Sequence, residues 1–216
     1  MNTNSEIRTK AREALTNNWW NAIAAFLIVF ALTAVVAGIP GVGQIAILLG
    51  EGALSYGLLL YFLELVRKNE IDLNLLFKGF NFDGTNLGLY GKTLGCFLLM
   101  NLYVFLWSLL LIIPGIIAAY SYRMVFFILI DNPEMSVVEI LRKSKAMMYG
   151  YKGKLFLLDL SFIGWAILSI LTFGIGFIWL YPYMTASLTV FYEQLKGEKV
   201  IEKHNHDNNV SGVVQD

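Results

Sequence analysis

Cysteine, histidine and proline are nearly missing from this chain: 216 residues hold one cysteine, two histidines and four prolines. Cys96, alone, has no partner for an intramolecular disulfide and reads as a small buried hydrophobe. His204 and His206 stand together in a polar tail, and no Cys/His spacing matches a metal site, so no metal or other cofactor is expected. HExxH, GxSxG, a phosphate loop and a dinucleotide fingerprint are all absent, and no apolar segment holds a Ser/His pairing for nucleophilic catalysis. The expectation is a protein that is not an enzyme. Nor does any nucleic-acid-binding motif occur. Charge is scarce as well, at 15% of residues where soluble domains carry about a quarter.

Apolar side chains fill the space that charge leaves, at 57% of the sequence. A helix needs about 20 mostly apolar residues to cross hydrocarbon, because its backbone groups find no water there. Six segments qualify, at Asn21–Ile39, Ala46–Val66, Thr93–Ile113, Gly115–Ile130, Leu155–Leu171 and Phe177–Leu195. They pair into three hairpins through the apices GIPGVGQ (38–44), IPG (113–115) and TFGIG (172–176), with Gly and Pro as turn punctuation. Arg8, Lys10 and Arg12 before an apolar run look like the start of a signal peptide. The run reaches Ile39, beyond the roughly 7–15 residues of a signal core, and further spans follow, so it counts as the first span.

The cations set the orientation. Of the 16 Lys and Arg, all but Arg123 lie before the first span, between spans two and three, between four and five, or after the sixth, and the apices carry none. By the positive-inside rule both termini and both long loops are cytoplasmic. The expected fold is therefore an all-α polytopic bundle of six transmembrane helices in three hairpins.

An amphipathic segment precedes each hairpin. Ile7, Ala11, Ala14 and Leu15 share one stripe in the first, and Leu73, Leu76, Phe77 and Phe80 follow helical spacing in the second. In the third, Ser136 and Glu139 form a capping box ahead of Val137, Ile140, Leu141, Met147 and Met148. Such helices suit the cytoplasmic interface, and the basic face of the third, Arg142, Lys143 and Lys145, is expected to face anionic lipid. The pattern suggests one membrane domain over residues 1–196, with modules 1–66, 67–130 and 131–196, followed by a disordered cytoplasmic tail at 197–216. Any hairpin bundle with basic inner loops would show some of this pattern, so a true repeat is one of two readings.

Arg123 is the polar residue that most needs explaining. Eight residues from both Gly115 and Asp131, it falls near mid-membrane, where an unpartnered Arg costs at least roughly 2.5–3.5 kcal/mol. Asp159, in span five, is the expected partner. With Tyr120, Tyr122, Tyr181 and Tyr183 nearby, the pair is either an ion pair pinning span four to span five or a polar site for a charged headgroup or peptide. Ser161, Gly164 and Ala166 read as packing residues and the five Trp as interfacial anchors.

LWSLLLIIPGIIAAYSYRMVFFILIDNP, EILRKSKAMMYGYKGKLFLLDLSFIGW and LTFGIGFIWLYPYMTASLTVFYEQL, with Arg12, Leu15, Asn18 and Trp19 near the start, resemble the bacterial membrane family catalogued as domain of unknown function 975. There is also a distant similarity to the membrane domain of some glycerophosphodiester phosphodiesterases, without their catalytic domain. The resemblance implies a bacterial plasma-membrane protein with no assigned activity, and a motif pattern that includes Tyr120, Arg123, Asp131, Lys152, Tyr183 and Tyr192. The functional expectation is a membrane module that binds or passes an amphiphile, lipid or hydrophobic peptide. The alternative is an assembly or regulatory subunit that docks a cytoplasmic or membrane protein, or anionic lipid, through its basic helices.

Overall fold

A chain this apolar offers its backbone few side-chain partners, and local i→i−4 hydrogen bonding meets the need without them. In the computed structural model, which describes residues 3–68, 71–81 and 88–213, all regular structure among the described residues is helical. The helices are α1 (Asn4–Leu15), α2 (Trp19–Ala37), α3 (Gly43–Lys68), a 3-10 helix (Leu73–Phe80), α4 (Gly88–Leu110), α5 (Ile112–Ser121), α6 (Val125–Asp131), α7 (Val137–Met147), α8 (Lys152–Leu160), α9 (Ile163–Leu171) and α10 (Phe177–Val213).

Five runs are long and apolar enough to cross a membrane, not the six expected: α2, α3, α4, Ile112–Asp131 and Lys152–Leu171. The expected sixth lies in the first half of α10, and Tyr181, Tyr183, Thr185, Ser187, Thr189 and Tyr192 dilute it. From Thr185 onward these side chains are tolerated because that stretch of α10 is buried in the bundle, the helix packing against α1, α2, α3, α7 and α9, whereas Tyr181 is exposed. Ala186, Ser187, Thr189, Phe191 and Leu195 are fully buried there. The hydroxyls of Thr185, Ser187 and Thr189 each donate to the carbonyl four residues earlier, at 2.8–2.9 Å. The backbone of α10 then continues to Val213, through the stretch expected to be a disordered tail. Extending a formed helix costs far less than nucleating one; residues 214–216 lie outside the described chain.

The amphipathic segments pack against the long helices, the second of them along the Ala53–Gly57 stretch of α3. α1 lays Ile7, Ala11 and Leu15, all fully buried, along α10. α7 buries Ile140, Leu141, Met147 and Met148 against α4 and α6. Both start with a capping box, Thr3 with Glu6 and Ser136 with Glu139, and the Ser136 hydrogen bonds hold the Glu139 carboxyl below its ordinary range. The second segment is a 3-10 helix rather than an α-helix. With three residues per turn, Leu76 and Gly79 turn onto α3 while Phe77, expected on the apolar stripe, is exposed. Its fit is close: a Cβ on Gly57 would meet the Leu76 carbonyl and one on Gly79 would meet that of Ala53.

The apices share one construction. Gly43, Gly115 and Gly176 open the returning helix of each hairpin, and a Cβ on each would collide with the residue seven before it, Val36, Ser108 or Ser169. The I-P-G tripeptides at 39–41 and 113–115 are therefore not equivalent, because Gly43 rather than Gly41 holds the contact. Replacing Gly115 or Gly176 by Ala forces backbone apart, since the new Cβ would lie 2.8 Å from a serine Cα. Each is expected to lower stability by about 1–3 kcal/mol, read as a lower melting temperature in detergent by tryptophan fluorescence. Gly164→Ala, with no heavy atom within 4 Å of the new Cβ, should leave it unchanged.

Candidate functional site

Two of the long apolar runs are broken. The first break, Tyr122–Met124, separates α5 from α6, and the second, Ser161–Phe162, separates α8 from α9. The chain keeps its backbone paired by tightening to i−3 bonds: Arg123 N–H donates to Tyr120 O at 3.5 Å and Phe162 N–H to Asp159 O at 3.0 Å. Beside the first break lies a cavity of about 400 Å³, lined by Arg123, Asp159, Tyr122, Tyr181, Asn101 and Ser55 among apolar neighbours from α3, α4 and α10. Non-helical backbone at such a depth is tolerated where it borders a polar space.

Within that cavity the expected Arg123–Asp159 ion pair is not formed. Asp159 Oδ2 accepts from the Tyr120 hydroxyl at 3.0 Å, and the Tyr120 ring is held edge-on by Phe156. Arg123 is exposed and makes no ion pair among the described residues. The result is a cation and an anion on one wall of one space, with the anion already oriented by a phenol and the cation free to take a ligand. Tyr183 is not part of this site. Its hydroxyl donates to Arg8 O at 3.4 Å, and its ring meets Trp19 and Phe162 on the far side of α10. Of the basic trio on α7, Arg142 and Lys145 are exposed, whereas Lys143 is turned inward and donates to Asn132 Oδ1 at 2.9 Å.

The strongest polar cluster was not anticipated. Asp131, at the end of α6, has a side chain only 10% exposed. It takes Arg67 Nη2 at 2.8 Å on one oxygen, and Lys196 Nζ and the Tyr192 hydroxyl, both at 2.7 Å, on the other. Arg67 also binds Glu193 Oε1 at 2.7 Å, and the Tyr192 ring stacks on Phe127 at 4.7 Å. The ends of α3 and α6 and the middle of α10 meet on one carboxylate. The sequence offered one hint, in the motif pattern that contains both Asp131 and Tyr192. Among the described residues no group of three or more His, Cys, Asp or Glu is placed to hold a metal ion.

Five apolar runs of membrane-crossing length packed with α10, tied by an ion network and broken once at a polar cavity, define a multi-helix bundle compatible with a bilayer. The chain belongs to the family described as Protein of unknown function (DUF975), whose model matches residues 1–117 and 108–199. No curated protein and no solved structure matches it.

Asp131→Asn leaves Arg67 and Lys196 facing each other without their shared counter-charge. It is expected to lower unfolding stability by about 2 kcal/mol, less than the roughly 3–5 kcal/mol of a fully buried pair because Lys196 reaches solvent. Lys68→Ala, which truncates an exposed lysine and removes its i,i+4 pair with Glu64, should change it by under about 0.5 kcal/mol. Thermal unfolding in one detergent compares the two.

Proposed function

We propose that this protein is a non-enzymatic, multi-pass protein of the bacterial plasma membrane that binds an amphiphile, the charged headgroup lying between Arg123 and Asp159. α10 supplies a sixth crossing, screened from lipid by its neighbours, and both termini are cytoplasmic. The observation that carries this reading is the cavity at the Tyr122–Met124 helix break. An exposed Arg and a Tyr-bound Asp share it without pairing, inside runs long and apolar enough to lie in hydrocarbon. An Arg at such a depth gains most from a ligand that brings its own negative charge. A zwitterionic or anionic headgroup meets Arg123, and its tails follow the apolar lining from Leu59, Met100, Val104 and Met184.

A second reading keeps one observation of its own. Arg142 and Lys145 remain exposed on α7, a surface suited to anionic lipid or to an acidic cytoplasmic partner. Charge reversal at these two residues then removes a co-purifying protein and leaves the bound amphiphile in place.

Native mass spectrometry of gently solubilised protein tests the main reading. The wild type should carry a small amphiphile that Arg123→Gln with Asp159→Asn releases at unchanged melting temperature. An adduct pattern identical in wild type and double variant would sink it. Orientation is checked separately: fused after the tail, a green fluorescent protein should fluoresce and an alkaline phosphatase should stay inactive. The reverse pattern overturns the cytoplasmic termini.

A further inference from the structure

A larger cleft than the central cavity runs along the outside of the bundle. It measures about 580 Å³ and lies between α1, α9 and α10. One end is formed by Arg8 and Arg12 of α1, the other by Thr172 and Gly176 at the third apex. The wall between them is apolar and open, with Trp165, Leu168 and Trp179 exposed at 58%, 51% and 47%. Neither Arg8 nor Arg12 has an acidic partner among the described residues. Two guanidiniums at one end of an apolar trough match one ligand shape, an anionic head continuous with a hydrocarbon tail. A guanidinium fork binds phosphate oxygens in two parallel hydrogen bonds, and each cation near an anionic surface adds its own attraction. A free phosphate would leave the whole apolar wall unused.

The same arrangement occurs a second time. Thr3, Glu6, Asn17, Gly41 and Gly43 have counterparts in Ser136, Glu139, Gly150, Gly174 and Gly176, at one constant separation along the chain and with matching roles. These are two capping boxes, two left-handed links at φ 69° and 81°, two left-handed apex glycines at φ 78° and 86°, and two close hairpin contacts. In that register Arg12 corresponds to Lys145 and Trp19 to Lys152. The hairpins give a second register, in which Ser108, Gly115 and Tyr122 correspond to Ser169, Gly176 and Tyr183. Lys145, Lys152 and Tyr122, joined by Trp107 and Ile117, line a smaller cleft of about 230 Å³ against α4 and α5. Neither lysine has an acidic partner among the described residues. Each cleft is formed where the amphipathic helix of one module packs on the hairpin of another, α1 on α10 and α7 on α4 and α5.

We infer that these two clefts are quasi-equivalent binding sites for anionic phospholipid. Arg8 and Arg12, or Lys145 and Lys152, hold the phosphate, and an acyl chain lies along the tryptophan-lined wall. The inference rests on the membrane placement proposed above but not on the Arg123 cavity. Protein extracted from vesicles of mixed phosphatidylglycerol and phosphatidylcholine should retain two phosphatidylglycerols in native mass spectrometry. Arg8→Gln with Arg12→Gln should lose one of them, with about a 30-fold fall in affinity. Lys145→Gln with Lys152→Gln should lose the other. Arg8→Lys with Arg12→Lys keeps the charge and restores retention, which separates loss of a site from loss of the fold. Leu168→Trp fills the first trough and should empty it with both arginines intact. Arg123→Gln should leave both lipids bound, so release by that variant alone would assign them to the central cavity and overturn the inference. Equal retention in wild type and both Gln variants also overturns it, as does displacement by soluble glycerol 1-phosphate at the potency of lysophosphatidylglycerol.

Discussion

Every N–H and C=O in this chain has to find its partner within a few residues, because the side chains around it offer almost none. That constraint accounts for a structure that is helical throughout the described residues, and for the places where the helix is interrupted. An uninterrupted apolar helix can face lipid on all sides. One broken at Tyr122–Met124 or Ser161–Phe162 cannot: the first break lines the central cavity, and Phe162 of the second is buried against Tyr183. The hydroxyls of α10 obey the same rule. They are folded back onto their own helix, which lets the most polar of the long helices sit at the centre of the bundle.

Polarity is then sorted by height. Away from the apices, charges pair with one another, and Asp131 gathers the ends of α3 and α6 and the middle of α10. At the apices there is no charge at all, and leucine and isoleucine from Leu109 to Ile113 are 67–76% exposed. Hairpins of this kind cannot be held at their tips by polar loops. The glycine-on-serine contacts hold them instead, by letting two helices approach at van der Waals distance where no ion pair is available.

Much of this was legible beforehand, and what was not has a common cause. Periodicity and turn residues marked the hairpins and the Ser136–Glu139 cap, because those depend on neighbours in sequence. The 3-10 form of Leu73–Phe80 was missed because it is imposed by α3, through Gly57, rather than by local pattern. The first half of α10 was expected as a sixth span, and its hydroxyl-bearing residues keep it out of the five runs that are apolar enough. Arg123 and Asp159 both line the central cavity, but their pairing was assumed from opposite charge. Tyr120 had the shorter reach and took the carboxylate. The Asp131 network joins residues from three distant stretches, which no single-sequence pattern brings together.

The motif Tyr-x-Tyr occurs three times, and two of these, Tyr120–Tyr122 and Tyr181–Tyr183, lie in the returning arms of two hairpins. Residues two apart on a helix point to different faces, so each pair straddles its helix. Tyr120 reaches the Asp159 side of the central cavity and Tyr181 lines that cavity, whereas Tyr122 and Tyr183 line the two lateral clefts. Tyr122 belongs to both spaces, and it sits at the break that also positions Arg123. The central site and the smaller cleft therefore share one side chain as a wall. A ligand that moves the Tyr122 ring in one space changes the shape of the other, at a point where the next residue, Arg123, donates its N–H to Tyr120 O at 3.5 Å in place of an i−4 bond.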